Sequence, residues 1–165
     1  MTTNVLKFAA MLLVFAGSFT SCKDKEKCEP FVLIGKSSLS GCEGISQQDI
    51  VIKTQEEWED FKTIMNTDYN QIKSSNYKET DSFSETEIDF DLYQIIAVID
   101  EKRPDGCWGM EIKCITEDTY RIVVTIQVKS SVSKGFACVN MEHQPYHIVK
   151  IPVSTKKIEF KHIVK

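Results

Sequence analysis

No G-x-S-x-G elbow, no C-x₂-C pair and no excess of basic charge occur in this 165-residue chain. The first absence removes the strand–turn–helix nucleophile of the α/β-hydrolases, and with only three histidines a base for any Ser or Cys nucleophile is scarce. The second removes the closely spaced thiolate pairs typical of structural zinc. The third follows from 20 Lys plus Arg against 24 Asp plus Glu, a net charge of −4, which leaves no extended basic surface for nucleic acid. Internal repeats are missing too, and no apolar run reaches the roughly 20 residues a membrane-spanning helix needs. What remains is 42% hydrophobic, 10% aromatic and 27% charged. That composition predicts one packed domain of ordinary size, with a core that needs no structural metal.

The amino terminus reads as an address. Lys7 supplies a positive start, Phe8 to Phe15 an apolar stretch, and Gly17 to Ser21 lead through small residues to Cys22, the pattern of a secretory signal over residues 1–21. Its end resembles the lipobox of bacterial lipoproteins, with Thr20 and Ser21 before Cys22 and Phe19 where that motif prefers Leu. The resemblance implies cleavage before Cys22, a diacylglycerol on its sulfur and an acyl chain on its new amino group, so that lipid is the only attached group expected. Two or three buried chains at about 0.8 kcal/mol per CH₂ would hold the protein on the membrane essentially permanently. The alternative is plain export with Cys22 as an ordinary thiol. Cleavage removes Lys7 and no acid, making the mature chain one charge more acidic. Residues 22–30 then form the anchor and an alternating-charge tether, expected to stay solvated, with residues 31–165 as the single domain. Such a charged stretch resembles the sorting signal of lipoproteins at the outer membrane of a Gram-negative bacterium, on its periplasmic or surface face.

Beyond Cys22 five cysteines remain, an odd number in a compartment where disulfides persist. Cys114 follows Met110 and Ile112 in a strand alternation and is expected to be buried and unpaired, whereas Cys28, Cys42, Cys107 and Cys138 lie beside turn-like segments. We expect bridges Cys28–Cys42 and Cys107–Cys138, closing loops of about 15 and 32 residues worth roughly 3 to 4 kcal/mol each. The sequence leaves the connectivity open.

Along the domain, 31–34 and 49–53 read as short strands. Thr54 with Glu57 forms a capping box, and Trp58, Phe61, Ile64 and Met65 give one apolar face to a helix from about Gln55 to Asn66. The polar stretch 69–87 reads as a mobile insertion. Residues 94–99 predict a central strand and Pro104 to Gly106 a turn. Stretches 108–115 and 120–128 alternate as a hairpin, with Tyr120, Ile122, Val124, Ile126 and Val128 on one face. Strands at 147–153 and 157–164 follow, with Pro152 predicting an edge strand or a bulge. The fold class expected is α+β: a mostly antiparallel sheet or sandwich with one amphipathic helix packed on it.

The ordered series V-I-K-T-Q-E-E-W (51–58), I-D-F (88–90), I-I-A-V-I (95–99), D-G-C-W-G (105–109) and Q-P-Y-H-I-V-K-I-P (144–152) resembles the protease complex subunit PrcB family, specifically its C-terminal domain, over roughly Gly44 to Phe160. That resemblance implies a non-catalytic lipoprotein domain, the family being named after a member that helps assemble a secreted serine-protease complex. Cys107 and Cys138 stand where relatives often carry small or polar residues, which suggests a local bridge.

His143 and His147 have the spacing of helical zinc ligands, but Pro145 between them breaks any such helix, so strand hydrogen bonding is the reading and no metal is expected. His162 alternates with Phe160 and Val164 as a sheet residue. Trp108, Pro145 and Tyr146 form either an exposed patch for gripping a protein or a packed cap on one end of the core. The function expected is therefore non-enzymatic: an envelope lipoprotein with a protein partner, a secreted protease being the candidate, and no nucleic acid. The alternative is an inhibitor that inserts loops 104–109 and 143–146 into a protease cleft.

Overall fold

The computed structural model describes residues 27–40, 45–70, 78–130, 138 and 140–164. The signal segment, Cys22 and Cys42 lie outside the described residues. Among the described residues seven strands follow in chain order: β1 (Val32–Ser40), β2 (Gln48–Ile52), β3 (Tyr93–Ile99), β4 (Trp108–Glu117), β5 (Arg121–Ser130), β6 (His143–Pro152) and β7 (Lys157–Val164). A helix α1 (Gln55–Asn70) separates β2 from β3. The strands form two sheets, β1-β6-β3-β2, wholly antiparallel, and β4-β5-β7, in which β7 lies parallel to β5. The result is the expected α+β architecture with α1 packed against the first sheet.

Residues 95–99 have no polar alternation because β3 is covered on both faces. Ile95, Ala97 and Ile99 pack with Trp58, Phe61 and Met65 of α1, while Ile96 and Val98 pack against Ile112, Val124 and Ile126 of the second sheet. The helix starts where its capping box directs. Thr54 Oγ1 accepts from the Glu57 N–H at 3.2 Å, and Glu57 Oε2 accepts from the Thr54 N–H at 3.2 Å. Ile64, counted on the apolar face, is half exposed instead.

The stretch read as a mobile insertion is, over residues 78–87, packed onto the core. Asn66 near the end of α1 accepts the Thr80 N–H at 3.2 Å, and Glu79, Thr80 and Phe83 are buried. Gly35 is required opposite Phe83, because a Cβ there would stand 2.8 Å from the ring.

Pro152 does not make β6 an edge strand: it is the last residue of β6, beyond Lys150 where register with β1 ends, so it pairs with β3 alone. β6 lies between β1 and β3, and it holds Pro145 as well. Pro145 accepts from the Asp100 N–H at 2.9 Å but has no N–H to return. The Gln144 side chain supplies the missing donor: its Nε2 reaches the Asp100 carbonyl at 2.8 Å and the Ile45 carbonyl at 3.0 Å, all in the interior.

Cys114 departs from its expected place for a local reason. The β4–β5 register slips between Ile112 and Cys114, so a bulge at Lys113 inverts the alternation and Ile115, rather than Cys114, faces the core. Cys114 is consequently turned outward and bonded to Cys28, with Cα atoms 5.2 Å apart, in place of the expected Cys28–Cys42 pair. The Glu29 N–H donates to the Ile115 carbonyl at 2.7 Å. The last residues of the supposed solvated tether are therefore fastened to β4. Tyr120 also leaves its predicted face and sits 84% exposed in the β4–β5 turn, whereas Ile122, Val124, Ile126 and Val128 are buried as expected.

Candidate functional site

β6 organises the site because its alternation sends neighbouring residues to opposite layers. Tyr146 points towards α1. It is fully buried beside Phe83, its hydroxyl donates to Glu79 Oε1 at 2.6 Å, and burial pushes that hydroxyl's pKa up. His143, Pro145 and His147 instead run along the side of β6 nearest β4.

Among the described residues, no strand pairs with the edge of β4 that faces β6, and two histidines satisfy part of it. The Ile112 N–H donates to His147 Nδ1 at 2.6 Å. His143 Nε2 lies 3.0 Å from the Trp108 carbonyl, which can only accept, so this network assigns the proton to Nε2. Between those two rungs stands Pro145, whose side chain can neither donate nor accept. A cleft of about 580 Å³ opens there, lined on one side by Lys36 to Ser38 of β1 and on the other by Trp108, Met110 and Met141.

Trp108 is held in place from behind. The Arg103 guanidinium lies 4.6 Å from its ring centroid and is itself clamped by Asp100, at 2.9 Å through both Nε and Nη2, and by Glu101 at 2.8 Å. Asp100 is buried, and the Arg103 and His143 main chains exchange hydrogen bonds at 2.8 and 3.1 Å. The turn before Trp108 is closed by Asp105 Oδ1, which accepts the Cys107 N–H at 2.9 Å. A Cys107–Cys138 disulfide, Cα atoms 5.2 Å apart, then ties that turn to the segment preceding β6. Each restraint reduces the freedom of the Trp108 rim before anything binds it.

Electrostatics around the cleft are local. Glu111 accepts from Lys36 at 2.9 Å and from Lys129 at 2.8 Å, and these two hydrogen bonds hold its carboxyl near pKa 2. His147 is drawn down to about 4, chiefly by burial and further by Lys36, with Glu111 opposing. A neutral imidazole is what accepting the Ile112 N–H requires. His162 pairs with Asp49 at 2.6 Å, linking β7 to β2.

Among the described residues, one group brings three metal-type ligands together: Asp105, Cys107 and Cys138, with ligand atoms within 4.8 Å of one another. Both sulfurs are committed to the disulfide, so the group offers a metal one carboxylate and no thiolate. A second depression of about 730 Å³ beside α1 is lined mainly by polar residues such as Gln55, Glu59, Lys62 and Glu85.

Of the three residues named as a protein-binding patch, Trp108 and Pro145 meet in the cleft and Tyr146 does not. Residues 143–146 are not an insertable loop: they begin β6, and three of the four are buried. Lys36, Ser38 and Met141 were missed. Nothing in their local pattern signals a site, although Met141, 55% exposed between a cysteine and a strand, is an apolar residue without a core position. Compared with family models, curated proteins and solved structures, the chain matches none.

Proposed function

We propose that this chain is a cell-envelope lipoprotein, anchored through Cys22, whose domain grips a protein partner in the cleft between β1 and β4 and carries out no chemistry itself. The observation that supports binding most directly is the immobilised Trp108 beside Met141 and Pro145. An apolar surface whose rim is already fixed by a disulfide and a clamped arginine loses little entropy on association, and tryptophan is a favoured anchor of protein interfaces. The resemblance to the PrcB family supplies the class of partner, an extracytoplasmic protease complex. On that reading the domain assembles or positions the protease; of the two segments an inhibitor would insert, 143–146 belongs to a central strand, which favours assembly, and 104–109 remains a turn beside the cleft.

The test uses the soluble domain, wild type and Trp108→Ala, against protease subunits purified from the same envelope. Retention of a protease by the wild-type domain alone, with its activity intact, supports the reading. Equal retention by both forms contradicts it, and loss of protease activity at one-to-one stoichiometry identifies an inhibitor instead.

A further inference from the structure

The strands place two distinct ends on the domain. Trp108, His143 and Ser130 lie at the cleft end, and Glu117, Arg121 and Pro152 lie at the other. Glu29 and Pro30 join that second end, lining a depression with Ile115, Pro152 and Val153. Three large apolar side chains are exposed at this end: Val153 at 48%, which lines the depression, and Leu92 at 58% and Tyr120 at 84% in the chain turns beside it. The segments that carry them are tied together. The Val153 N–H donates to the Leu92 carbonyl at 2.9 Å, and Lys156 binds both Glu117 and the Asp118 carbonyl at 2.6 Å, tying the β6–β7 link to the turn that carries Tyr120. Most of the charges nearby pair among themselves, Arg121 with Asp118 and Glu159, Lys157 with Glu159 and Lys156 with Glu117, while Glu29 and Asp91 are exposed acids outside these pairs. Four bases, Arg121, Lys156, Lys157 and Lys53, stand among these acids, so both signs are interspersed over this end.

We infer that this end, with Tyr120, Leu92 and Val153, rests on the phospholipid interface, and that the Cys28–Cys114 bond sets the orientation. The inference rests on Cys22 being lipidated. Five residues lie between Cys22 and Cys28, six Cα steps with a reach of about 22 Å when fully extended. From Cys114, Glu117 is about 10 Å away along β4 and Trp108 about 20 Å in the opposite direction. Laying the Tyr120 end on the bilayer leaves slack in the tether, whereas laying the cleft end there would stretch it almost fully. Tyrosine beside aliphatic side chains suits the headgroup boundary, where one edge is apolar and the other wet. The cleft is then held facing away from the membrane, towards other proteins.

The experiment reconstitutes the full mature protein into vesicles of phosphatidylethanolamine and phosphatidylglycerol, with and without brominated acyl chains. Two variants report position, Tyr120→Trp and Met141→Trp, each read against the parent protein. The expected result is a loss of the added emission at position 120 on brominated vesicles and none at 141. Replacing Cys28 and Cys114 together by Ser should shrink that difference. A lipid-bearing mature mass with no loss at 120, or with equal loss at both positions, overturns the orientation and leaves the anchor standing. A mass without lipid overturns both.

Discussion

Gln144→Leu tests how β6 accommodates a proline in the middle of a sheet. The substitution keeps the side-chain volume and removes an amide that serves two interior carbonyls, those of Asp100 and Ile45. Stranding a buried polar group costs about 1 to 3 kcal/mol, and two stranded carbonyls, offset in part by removal of the amide's own buried and unpartnered Oε1, give an expected loss of about 2 to 4 kcal/mol. The diagnostic step is to repeat the change in a Pro145→Ala background. There the new N–H at 145 can bond to the Asp100 carbonyl itself, and Gln144→Leu should then cost only the Ile45 bond, about 1 to 2 kcal/mol. Urea unfolding of the soluble domain, followed by Trp58 and Trp108 fluorescence, measures all four corners of the cycle. An equal cost of Gln144→Leu in both backgrounds would refute the idea that the amide replaces the N–H that proline lacks.

Three further outcomes follow from particular contacts. His147 takes up its proton near pH 4 when folded against 6.5 unfolded, so its contribution is fully present above about pH 6.5, falls as the pH drops towards 4 and levels off below. The whole step is on the order of 3 kcal/mol. His147→Asn, which keeps an acceptor for the Ile112 N–H, should flatten stability over that window, with Lys36 and Glu111 as the charged neighbours; an unchanged slope would remove His147 as its source. Breaking Cys28–Cys114, which closes an 86-residue separation, should cost more than breaking Cys107–Cys138 at 31 residues. Chain entropy alone gives about 4.6 against 3.7 kcal/mol, an order that paired Ser variants in a denaturation series can check. Gly35→Ala should destabilise by about 1 to 3 kcal/mol through its clash with the Phe83 ring, and Phe83→Leu in the same chain should recover part of that loss.

The fold class was legible because its signals are local: the Thr54–Glu57 capping box, the three-to-four-residue spacing of Trp58, Phe61 and Met65, and the unbroken apolar run of β3. Sequence failed where a single residue changes phase or where a side chain stands in for backbone. The bulge at Lys113 leaves no mark in the composition, so extending the Met110–Ile112 alternation placed Cys114 inside and misassigned the partner of Cys28. Pro152 reads as an edge although it only ends a central strand past its register with β1, and at Pro145 nothing in Gln144 hints before folding that its amide replaces the missing donor. Tyr146 was grouped with Trp108 because both are aromatics in family-like segments. Period-two alternation from Pro145 sends it to the other face, which the sequence already contained. The segment before β3 looked solvated because few of its residues are apolar, yet Phe83 and Ile88 suffice to dock it.

A domain fastened to the membrane at Cys22 and clamped at Cys28 is the central claim. Intact-mass analysis of the protein extracted from its native membrane, before and after reduction, reads both at once. The predicted mass begins at Cys22, carries diacylglycerol and acyl chains, and shows two disulfides, with Cys28 linked to Cys114 in the peptide map. A chain that retains residues 1–21 without lipid, or a map that joins Cys28 to a different cysteine, would contradict it.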